Sequence, residues 1–410
     1  MAERFPPDRK KRAGEQGGER SGKVADFRYK RPGQPDSRSG PPCDQAGAAG
    51  ARHAPARRVG NEASPDRYAP APDRYAQAYA ALDLGTNNCR LLIARPAGDH
   101  FTVIDAFSRV VRLGEGLAQS GRLSEAAMER TLGALRICAD KLRRRNVRLA
   151  RSVATEACRR AENGPAFIER VRRETGLALD IISAEEEARL AVLGCHILLE
   201  QGDEPALIFD IGGGSTELVL VEPHGRVPRI LDWQSVPWGV VSLTDTIGRV
   251  EGPRERRAAI YAEMRRVVSE SFAPFADRLA PMIAAHGTRR LLGTSGTVTT
   301  LASLHLELPH YDRRAVDGLV LPSASMRAVS TRLAALSPAE RSQLPCIGSE
   351  RAELVVAGCA ILESIMDIWP AERLGVADRG IREGILRNLI ATDIAGEETR
   401  RALLQRQVRP

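Results

Sequence analysis

Residues 207–217 read LIFDIGGGSTE: an apolar run ends in Asp210, and three glycines lead into Ser215, Thr216 and Glu217. The apolar run predicts a buried strand. Three consecutive glycines predict a sharp turn in which the backbone can approach a ligand closely. Successive N–H groups in such a turn form a concavity that suits phosphate oxygens. The stretch therefore predicts a strand that ends in a phosphate-binding loop.

Each polar group of this loop has a predicted role. The amides of the loop and the serine hydroxyl are expected to bind phosphate, through Gly212, Gly213, Gly214 and Ser215. Asp210 supplies a hard oxygen ligand suited to Mg²⁺, and Glu217 is expected to reach the same metal through water. The alternative is a glycine-rich hairpin turn with a solvated aspartate.

A second, looser copy of the pattern lies upstream. Residues 81–88 read ALDLGTNN, so Asp83 stands where Asp210 stands in the first loop, and Thr86 and Asn87 supply side-chain donors. Asp83 is therefore a second candidate metal ligand, and Thr86 and Asn87 are candidate phosphate ligands. Two such loops about one domain apart predict a clamp that closes on one phosphate from opposite sides.

The pattern of strands and helices also repeats. From Tyr79 three short strands are followed by alternating helix and strand, and the same order restarts at Ala206. Single long helices are expected over 184–200 and 349–368. The repeat predicts two related α/β domains facing across a cleft.

The domain boundaries follow from this pattern. We expect a disordered basic tail over 1–77, a first domain over 78–190, a second domain over 191–395 and a flexible end over 396–410. The tail carries ten of the 25 prolines and little apolar periodicity, so it cannot bury enough surface to offset the entropy of ordering.

Charge and cysteine content limit the partners and the compartment. Residues 1–77 carry 16 Lys and Arg against 10 Asp and Glu, so most of the formal charge of +8 belongs to the tail and no specific nucleic-acid partner is indicated. No apolar run is long enough to span a membrane. The seven cysteines lack Cys-x-x-Cys spacing, which favours neither disulfides nor zinc and predicts a reducing cytoplasm.

A triple glutamate opens the helix expected at Ala184. Ser183 and Glu186 have the spacing of a capping box, and Glu185 has the spacing of an ion pair with Arg189. That leaves Glu187. The residues one and two helical turns after it, Leu190, Ala191 and Gly194, are all apolar or small. Burial would raise the pKa of this carboxyl and make it a usable general base toward water. The alternative is a border residue whose carboxylate reaches solvent.

Two further segments are candidates. Between a strand and a helix, Arg159 or Arg160 could clamp a phosphate bidentately, although a solvated arginine is the ordinary alternative. The stretch 293–297, GTSGT, could form another anion loop or a tight strand-to-helix turn.

With these segments the chain resembles the exopolyphosphatase/guanosine pentaphosphate phosphohydrolase (Ppx/GppA) family of the actin-like ATPase superfamily. The resemblance covers roughly residues 79–392. It rests on seven motifs in the expected order, at 83–87, 112–117, 155–163, 186–190, 210–217, 293–297 and 381–385. The resemblance implies two actin-like, ribonuclease-H-like domains. The segment after Gly384 is short and no His-Asp dipeptide occurs, so the two-domain form is expected.

The resemblance also implies an activity. Family members hydrolyse the terminal phosphoanhydride of polyphosphate or of guanosine pentaphosphate with Mg²⁺, and Mn²⁺ is the alternative metal. The family's catalytic glutamate corresponds to Glu187. Its metal and phosphate positions correspond to Asp83, Thr86, Asn87, Arg159, Asp210, Gly212–Ser215 and Glu217.

Three alternatives stay open at this point. The substrate is expected to be polyphosphate, with guanosine pentaphosphate as the second choice. An actin-like kinase or a non-catalytic alarmone or polyphosphate sensor would share the same loops. A homodimer is expected only because it is the family's common habit.

Overall fold

The computed structural model describes residues 77–98, 100–285, 287 and 289–408. This part of the chain contains two mixed sheets, which form the cores of two α/β domains. Residues 1–76 of the predicted tail lie outside the described residues. None of the described helices is both long enough and apolar enough to cross a membrane.

The strands fall into two sets with the same opening order. Sheet I contains β1 Ala78–Leu84, β2 Asn88–Ala97, β3 His100–Val110, β4 Val147–Ala154 and β5 Asp180–Ile181; sheet II contains β6 Ala206–Ile211, β7 Thr216–Glu222, β8 Arg229–Val236, β9 Arg290–Thr294, β10 Val320–Pro322 and β11 Arg373–Ala377. Their spatial orders are β3-β2-β1-β4-β5 and β10-β11-β9-β6-β7-β8.

Each sheet begins with an antiparallel meander and continues with parallel strands, except that the edge strand β10 of sheet II pairs antiparallel with β11. β1 pairs antiparallel with β2 and parallel with β4, and β6 pairs in the same two ways with β7 and β9. The registers match as well, since Asp83 faces Arg90 across one hairpin and Asp210 faces Glu217 across the other. The predicted repeat of two α/β domains is confirmed.

Fourteen α-helices connect and cover the sheets in the described chain. They are α1 Leu117–Ser120, α2 Glu125–Arg144, α3 Glu156–Arg160, α4 Gly164–Thr175, α5 Ala184–Cys195, α6 Val240–Ile247, α7 Arg254–Ala285, α8 Gly296–His305, α9 Arg313–Val316, α10 Ser323–Ala335, α11 Pro338–Ser342, α12 Gly348–Ala352, α13 Val355–Ile368 and α14 Ile381–Val408.

Two of the predicted single helices are wrong in extent. The helix expected over 184–200 ends at Cys195 and continues only as a 3₁₀ turn over His196–Leu198. The helix expected over 349–368 is divided into α12 and α13 by Glu353 and Leu354. Apolar periodicity continues through both interruptions, which is why the sequence alone does not reveal them.

The C-terminal helix α14 packs on sheet I. It therefore belongs with the first domain, here domain I, and not with the second, domain II, as the sequence predicts. Ile385, Leu386 and Ile390 of α14 pack in one buried cluster with Tyr79 and Leu92 of sheet I. The sequence predicts 381–395 as part of domain II, whereas this segment opens α14, which extends to Val408; the flexibility expected for 396–410 stays a prediction. The predicted boundary at 190/191 falls inside α5. An amphipathic stripe predicts that a helix is buried but does not identify the sheet that covers it.

Helices α5 and α14 cross at a point where only glycine fits. A Cβ on Gly384 would lie 2.0 Å from the carbonyl oxygen of Leu190, and one on Gly194 would lie 2.0 Å from that of Gly380. The crossing brings the first turn of α14 beside α5, which begins with the predicted catalytic turn. The crossing therefore fixes the positions of α5 and α14 relative to the cleft.

Replacing Gly384 with alanine should destabilise the protein, because the added methyl group meets backbone that cannot yield. We expect a loss of roughly 3 kcal/mol in the free energy of unfolding, measured by urea titration. Gly396 is the matched control, since it lies in the same helix with open space around it. Gly396→Ala should raise stability by up to about 1 kcal/mol. Equal effects of the two substitutions would show that the crossing is not tightly packed.

Candidate active site

The two predicted loops meet at the cleft between the domains. Asp83, Thr86 and Asn87 from domain I line the same cavity as Asp210 and the glycine loop from domain II. Glu187 and Glu217 line it as well. The structure therefore brings together every predicted site residue except Arg159, which lies behind the wall of this cavity.

The glycine loop is held by the N-terminal end of α6. The amides of Val240 and Val241 donate to the carbonyl oxygens of Gly212 and Gly213 over 3.0 and 2.8 Å, and the Ser242 hydroxyl donates to that of Gly214 over 2.8 Å. With the carbonyls held in this way, the amides of Gly213 and Gly214 have no hydrogen-bond partner among the described residues. They are free to bind an anion.

The upstream loop is built on the same plan. The carbonyl oxygen of Thr86 accepts from Gly114, and that of Asn87 accepts from Val111 and Arg112 over 2.8 and 3.0 Å. The motif at 112–117 thus has a structural role, because it fixes the peptide planes of the upstream loop at 83–88. The side-chain oxygen of Asn87 is buried without a partner in the described chain.

The loops from the two domains are in direct contact. A Cβ on Gly214 would lie 2.6 Å from the Thr86 hydroxyl oxygen and 2.7 Å from Cγ of Glu156, and one on Gly213 would lie 3.0 Å from Cβ of Thr86. Glycine is required here for close approach between domains rather than for an unusual dihedral angle. The two loops therefore meet and together form the floor of the cavity, and the binding of a phosphate between them stays a prediction.

Glu187 is buried as the sequence predicts, and only 6% of its surface is exposed. Burial, and then the charge of Glu217, raise the pKa of its carboxyl well above the usual value, while Arg159 opposes the shift. The expected pairing of its neighbours is wrong in one respect: Arg189 pairs with Glu186 over 2.7 Å and not with Glu185. The Ser183 hydroxyl accepts a hydrogen bond from the Glu186 amide, which is one half of the predicted capping box.

Arg159 binds carboxylates in this structure. One of its terminal nitrogens donates to Glu187 over 3.0 Å and to the carbonyl oxygen of Ile182 over 2.8 Å, and the other donates to Glu156 over 2.8 Å. The guanidinium thus orients Glu187. Its predicted contact with phosphate stays a prediction.

The candidate metal ligands are buried carboxylates that lie close together. The negative charge of one raises the pKa of another. Burial, and then Glu187, raise the pKa of Asp210 to about 7, and burial, and then Asp210, raise the pKa of Glu217 to about 7. Burial also raises the pKa of Asp83, one of whose oxygens is buried without a hydrogen-bond partner in the described chain. Glu217 accepts hydrogen bonds from Ser215 and Ser235 over 2.6 and 3.0 Å.

This donor set fits a hard divalent cation that substrate helps to bind. Within the described residues no three His, Cys, Asp or Glu side chains form a complete metal site. Mg²⁺ is ordinarily bound by one or two carboxylates together with waters and substrate phosphates. Asp83 and Asp210, with an unpaired oxygen on Asp83, match that requirement.

Sequence reasoning missed a cationic wall of the cleft. Arg90, Arg351 and Arg382 are electrostatic neighbours, and Arg90 and Arg351 line the cavity directly. Neither Arg90 nor Arg382 forms an ion pair within hydrogen-bonding distance in the described chain. In so arginine-rich a sequence, the only available signal for Arg90 was its hairpin position opposite Asp83.

The third loop also faces the cavity. Ser295 caps helix α8 by accepting hydrogen bonds from Thr297 and Val298, and it adopts a φ of 150° that is unusual for a residue with a side chain. Gly296 and Thr297 then line the cleft at the positive end of α8. The loop is thus the predicted strand-to-helix turn between β9 and α8, and it lines the cavity; anion binding by this loop stays a prediction.

Comparison with known proteins identifies the family of this chain. Residues 92–392 match the model of the Ppx/GppA phosphatase family. The chain is 31% identical over 326 residues to Exopolyphosphatase 2 of Mycobacterium tuberculosis, which covers 77% of this chain and 98% of that protein. It is 30% identical over 316 residues to the guanosine-5'-triphosphate,3'-diphosphate pyrophosphatase of Aeromonas salmonicida, which covers 77% of this chain and 60% of that protein.

A solved structure extends the likeness to the fold. The crystal structure of the Ppx/GppA family member from Aquifex aeolicus superimposes with a TM-score of 0.61 and 28% identity, over 77% of this chain and 98% of that one. The family model matches most of the chain, and the similar proteins and the two-domain fold agree with that match. The chain belongs to the Ppx/GppA phosphatase family.

Proposed function

We propose that this protein is a divalent-cation-dependent exopolyphosphatase that releases terminal orthophosphate from inorganic polyphosphate by attack of water. The observation that carries the proposal is the position of Glu187, a buried carboxylate on the wall of a cavity whose floor is two phosphate loops. Family membership and the exopolyphosphatase from Mycobacterium tuberculosis support the reaction class.

In the proposed reaction the chain's own groups bind and orient the terminal phosphate. The unpaired amides of Gly213 and Gly214, in one domain, donate hydrogen bonds to its oxygens. The side chains of Thr86 and Asn87, in the other domain, bind the same phosphate. Arg159 holds the Glu187 carboxylate in place, and Glu187 takes a proton from the attacking water. Most of the rate enhancement would come from this positioning and from charge stabilisation.

Asp83 and Asp210 would hold the cation, with Glu217 reaching it through water. A bound Mg²⁺ neutralises the negative charge of the phosphates and of the two carboxylates. The raised pKa values of Asp210 and Glu217 describe the metal-free protein, in which these carboxyls compete for one small volume. Mn²⁺ has similar ligand preferences and is the second candidate.

The metal assignment predicts a particular dependence of stability on pH. Because the folded pKa of Asp210 is about 7, above an unfolded value of about 4, the folded metal-free protein binds more protons than the unfolded chain. The resulting stability is fully present below pH 4 and is lost as the pH rises to about 7. Asp210→Asn cannot ionise. In chelator at pH 8 it should therefore exceed the natural chain by up to roughly 4 kcal/mol, with little difference at pH 4.

Thermal melts with and without Mg²⁺ test this assignment. Mg²⁺ at pH 8 should raise the melting temperature of the natural chain by several degrees and leave that of Asp210→Asn unchanged. Asp277→Asn, at an exposed position on α7, is the control and should behave as the natural chain does. Equal stabilisation of all three proteins by Mg²⁺ would remove Asp210 from the metal site.

The choice of substrate rests on the wall of the cleft. Arg90, Arg351 and Arg382 provide positive charge to a bound chain of phosphates, whatever its length. Guanosine pentaphosphate is the second candidate, which the relative from Aeromonas salmonicida supports. A kinase would need an acceptor site, and a sensor would bind without turnover.

Phosphate release from polyphosphate, guanosine pentaphosphate and ATP, measured in parallel with Mg²⁺, Mn²⁺ and chelator, tests the proposal. Release from polyphosphate that stops in chelator is the expected result. Preference for guanosine pentaphosphate would favour the second candidate, and ADP formation that requires an acceptor would indicate a kinase. Binding of polyphosphate without any release would indicate a sensor.

Compartment and assembly are part of the same proposal. The six described cysteines are free thiols, which fits a reducing cytoplasm. A homodimer stays a prediction, and sedimentation equilibrium measures it directly.

A further inference from the structure

A second cavity lies behind the wall of the active-site cleft. It has a volume of about 450 Å³ and opens to solvent between the start of α5 and the edge strand β8. Arg159 and Ala184 line one side, and Trp233 and Arg278 line the other. Glu156 and Ser215 line both this cavity and the cleft, so these two side chains form the partition between them.

The charged groups around Arg90 differ from those around Glu187. Arg90 has Arg382, Asp83 and Arg351 among its nearest charged neighbours, whereas Glu187 has Glu217, Arg159 and Asp83. Asp83 is common to both sets. The two cations Arg90 and Arg351 line the cleft and not the second cavity, whereas Arg159 contacts Glu187 and lines the second cavity.

This separation sets the sides from which the reacting groups approach. In phosphoryl transfer the attacking and leaving oxygens stand roughly in line on opposite sides of the phosphorus. Glu187, as the base, marks the side of the attacking water, so the leaving chain of phosphates extends toward Arg90 and Arg351. The second cavity lies on the water side, because Arg159 contacts Glu187 and lines this cavity.

We propose that the second cavity is the exit for orthophosphate, so that product leaves without passing the remaining chain. The inference rests on the proposed function. The newly formed orthophosphate contains the water oxygen and lies against Glu187, while the shortened chain still fills the cleft in front. Glu156 and Ser215 separate this anion from the second cavity, which opens to solvent.

Arg159 is suited to receive the product. Its two terminal nitrogens are paired with Glu187 and Glu156 before reaction. When Glu187 accepts the water proton its carboxyl becomes neutral, and its attraction for Arg159 weakens. The orthophosphate anion forms in the same step, so the guanidinium can exchange a neutral partner for a charged one. Arg278, oriented by Asp232 over 2.6 Å, provides the next cation along the cavity.

Filling the cavity at Ala184 tests the proposal. Ala184 is half-buried at the first turn of α5 and lines only the second cavity. In Ala184→Trp the first-turnover cleavage, measured by acid quench, should keep the natural rate. Free orthophosphate, measured with a fluorescent phosphate sensor, should appear about tenfold more slowly, because product release becomes limiting. Glu185→Trp, at an exposed position next to it, is the matched control and should release phosphate as the natural chain does.

A second variant covers the case in which tryptophan prevents folding. Ala184→Cys, folded first and then modified with either a methyl or a bulky thiol reagent, should show slow release only with the bulky group; the natural chain, modified in parallel, controls for its own thiols. Free phosphate that appears as fast as cleavage in the blocked proteins would overturn the exit route alone. If the natural chain releases no phosphate from polyphosphate or guanosine pentaphosphate, the proposed function fails and the exit route fails with it.

Discussion

Glu187→Gln is expected to lower the rate of phosphate release by about 10²–10⁴-fold, the usual contribution of a general base. The amide has the shape of the carboxylate but cannot take a proton from water. Because burial already disfavours the charged form of Glu187, the neutral variant should fold at least as well as the natural chain. Affinity for polyphosphate should be retained, since the amides of the loops are unchanged. Rapid-quench turnover together with calorimetric binding measures both quantities.

Glu185→Gln is the control for this variant, because Glu185 lies on the same helix turn and is exposed. It should retain full activity. A Glu187→Gln protein that hydrolyses polyphosphate at the natural rate would remove Glu187 from the mechanism, whatever its burial.

Gly214→Ala is expected to lower kcat/KM by about 10²-fold, the cost of displacing reacting groups by roughly 1 Å. Its methyl group would lie 2.6–2.7 Å from Thr86 and Glu156 of the opposite domain, so the two loops must separate. The free energy of unfolding should change little, because each domain keeps its own core. Steady-state kinetics and urea titration of the same preparations measure the two effects.

A graded series makes this prediction specific. Gly213→Ala meets its neighbours at 3.0 Å and beyond, so its loss of activity should be smaller. Gly133→Ala, in helix α2 with open space around it, should have no effect on turnover. A loss of activity that is equal in all three variants would contradict the idea that contact between the loops sets the geometry of the site.

The local chemistry of this site could be predicted from sequence because its determinants are short. An apolar strand, an aspartate and glycines are adjacent along the chain, so the loop at 210–217 is encoded in one stretch. The burial of Glu187 could be predicted because its neighbours at helical spacing are apolar or small, and the structure confirms it; the role of Glu187 as a base stays a prediction.

The features that sequence reasoning missed depend on distant contacts. Helix α14 covers sheet I across almost the whole length of the chain, and no periodicity identifies that partner. Arg90 and Arg351 meet only when the two domains face each other, and arginine is too common here to single them out. Arg159 was predicted to bind phosphate, but the structure pairs it with Glu187 and Glu156, which are 28 and three residues away in sequence.

Isotope labelling tests the central claim, that water attacks the terminal phosphorus in this cleft. Polyphosphate hydrolysed by the natural chain in H₂¹⁸O with Mg²⁺ would be analysed by mass spectrometry of the released orthophosphate. Each orthophosphate released from the chain should carry one solvent oxygen, since the oxygen of the water that Glu187 activates remains on the phosphate that leaves. Orthophosphate without solvent oxygen, with the label found on the shortened chain, would contradict it.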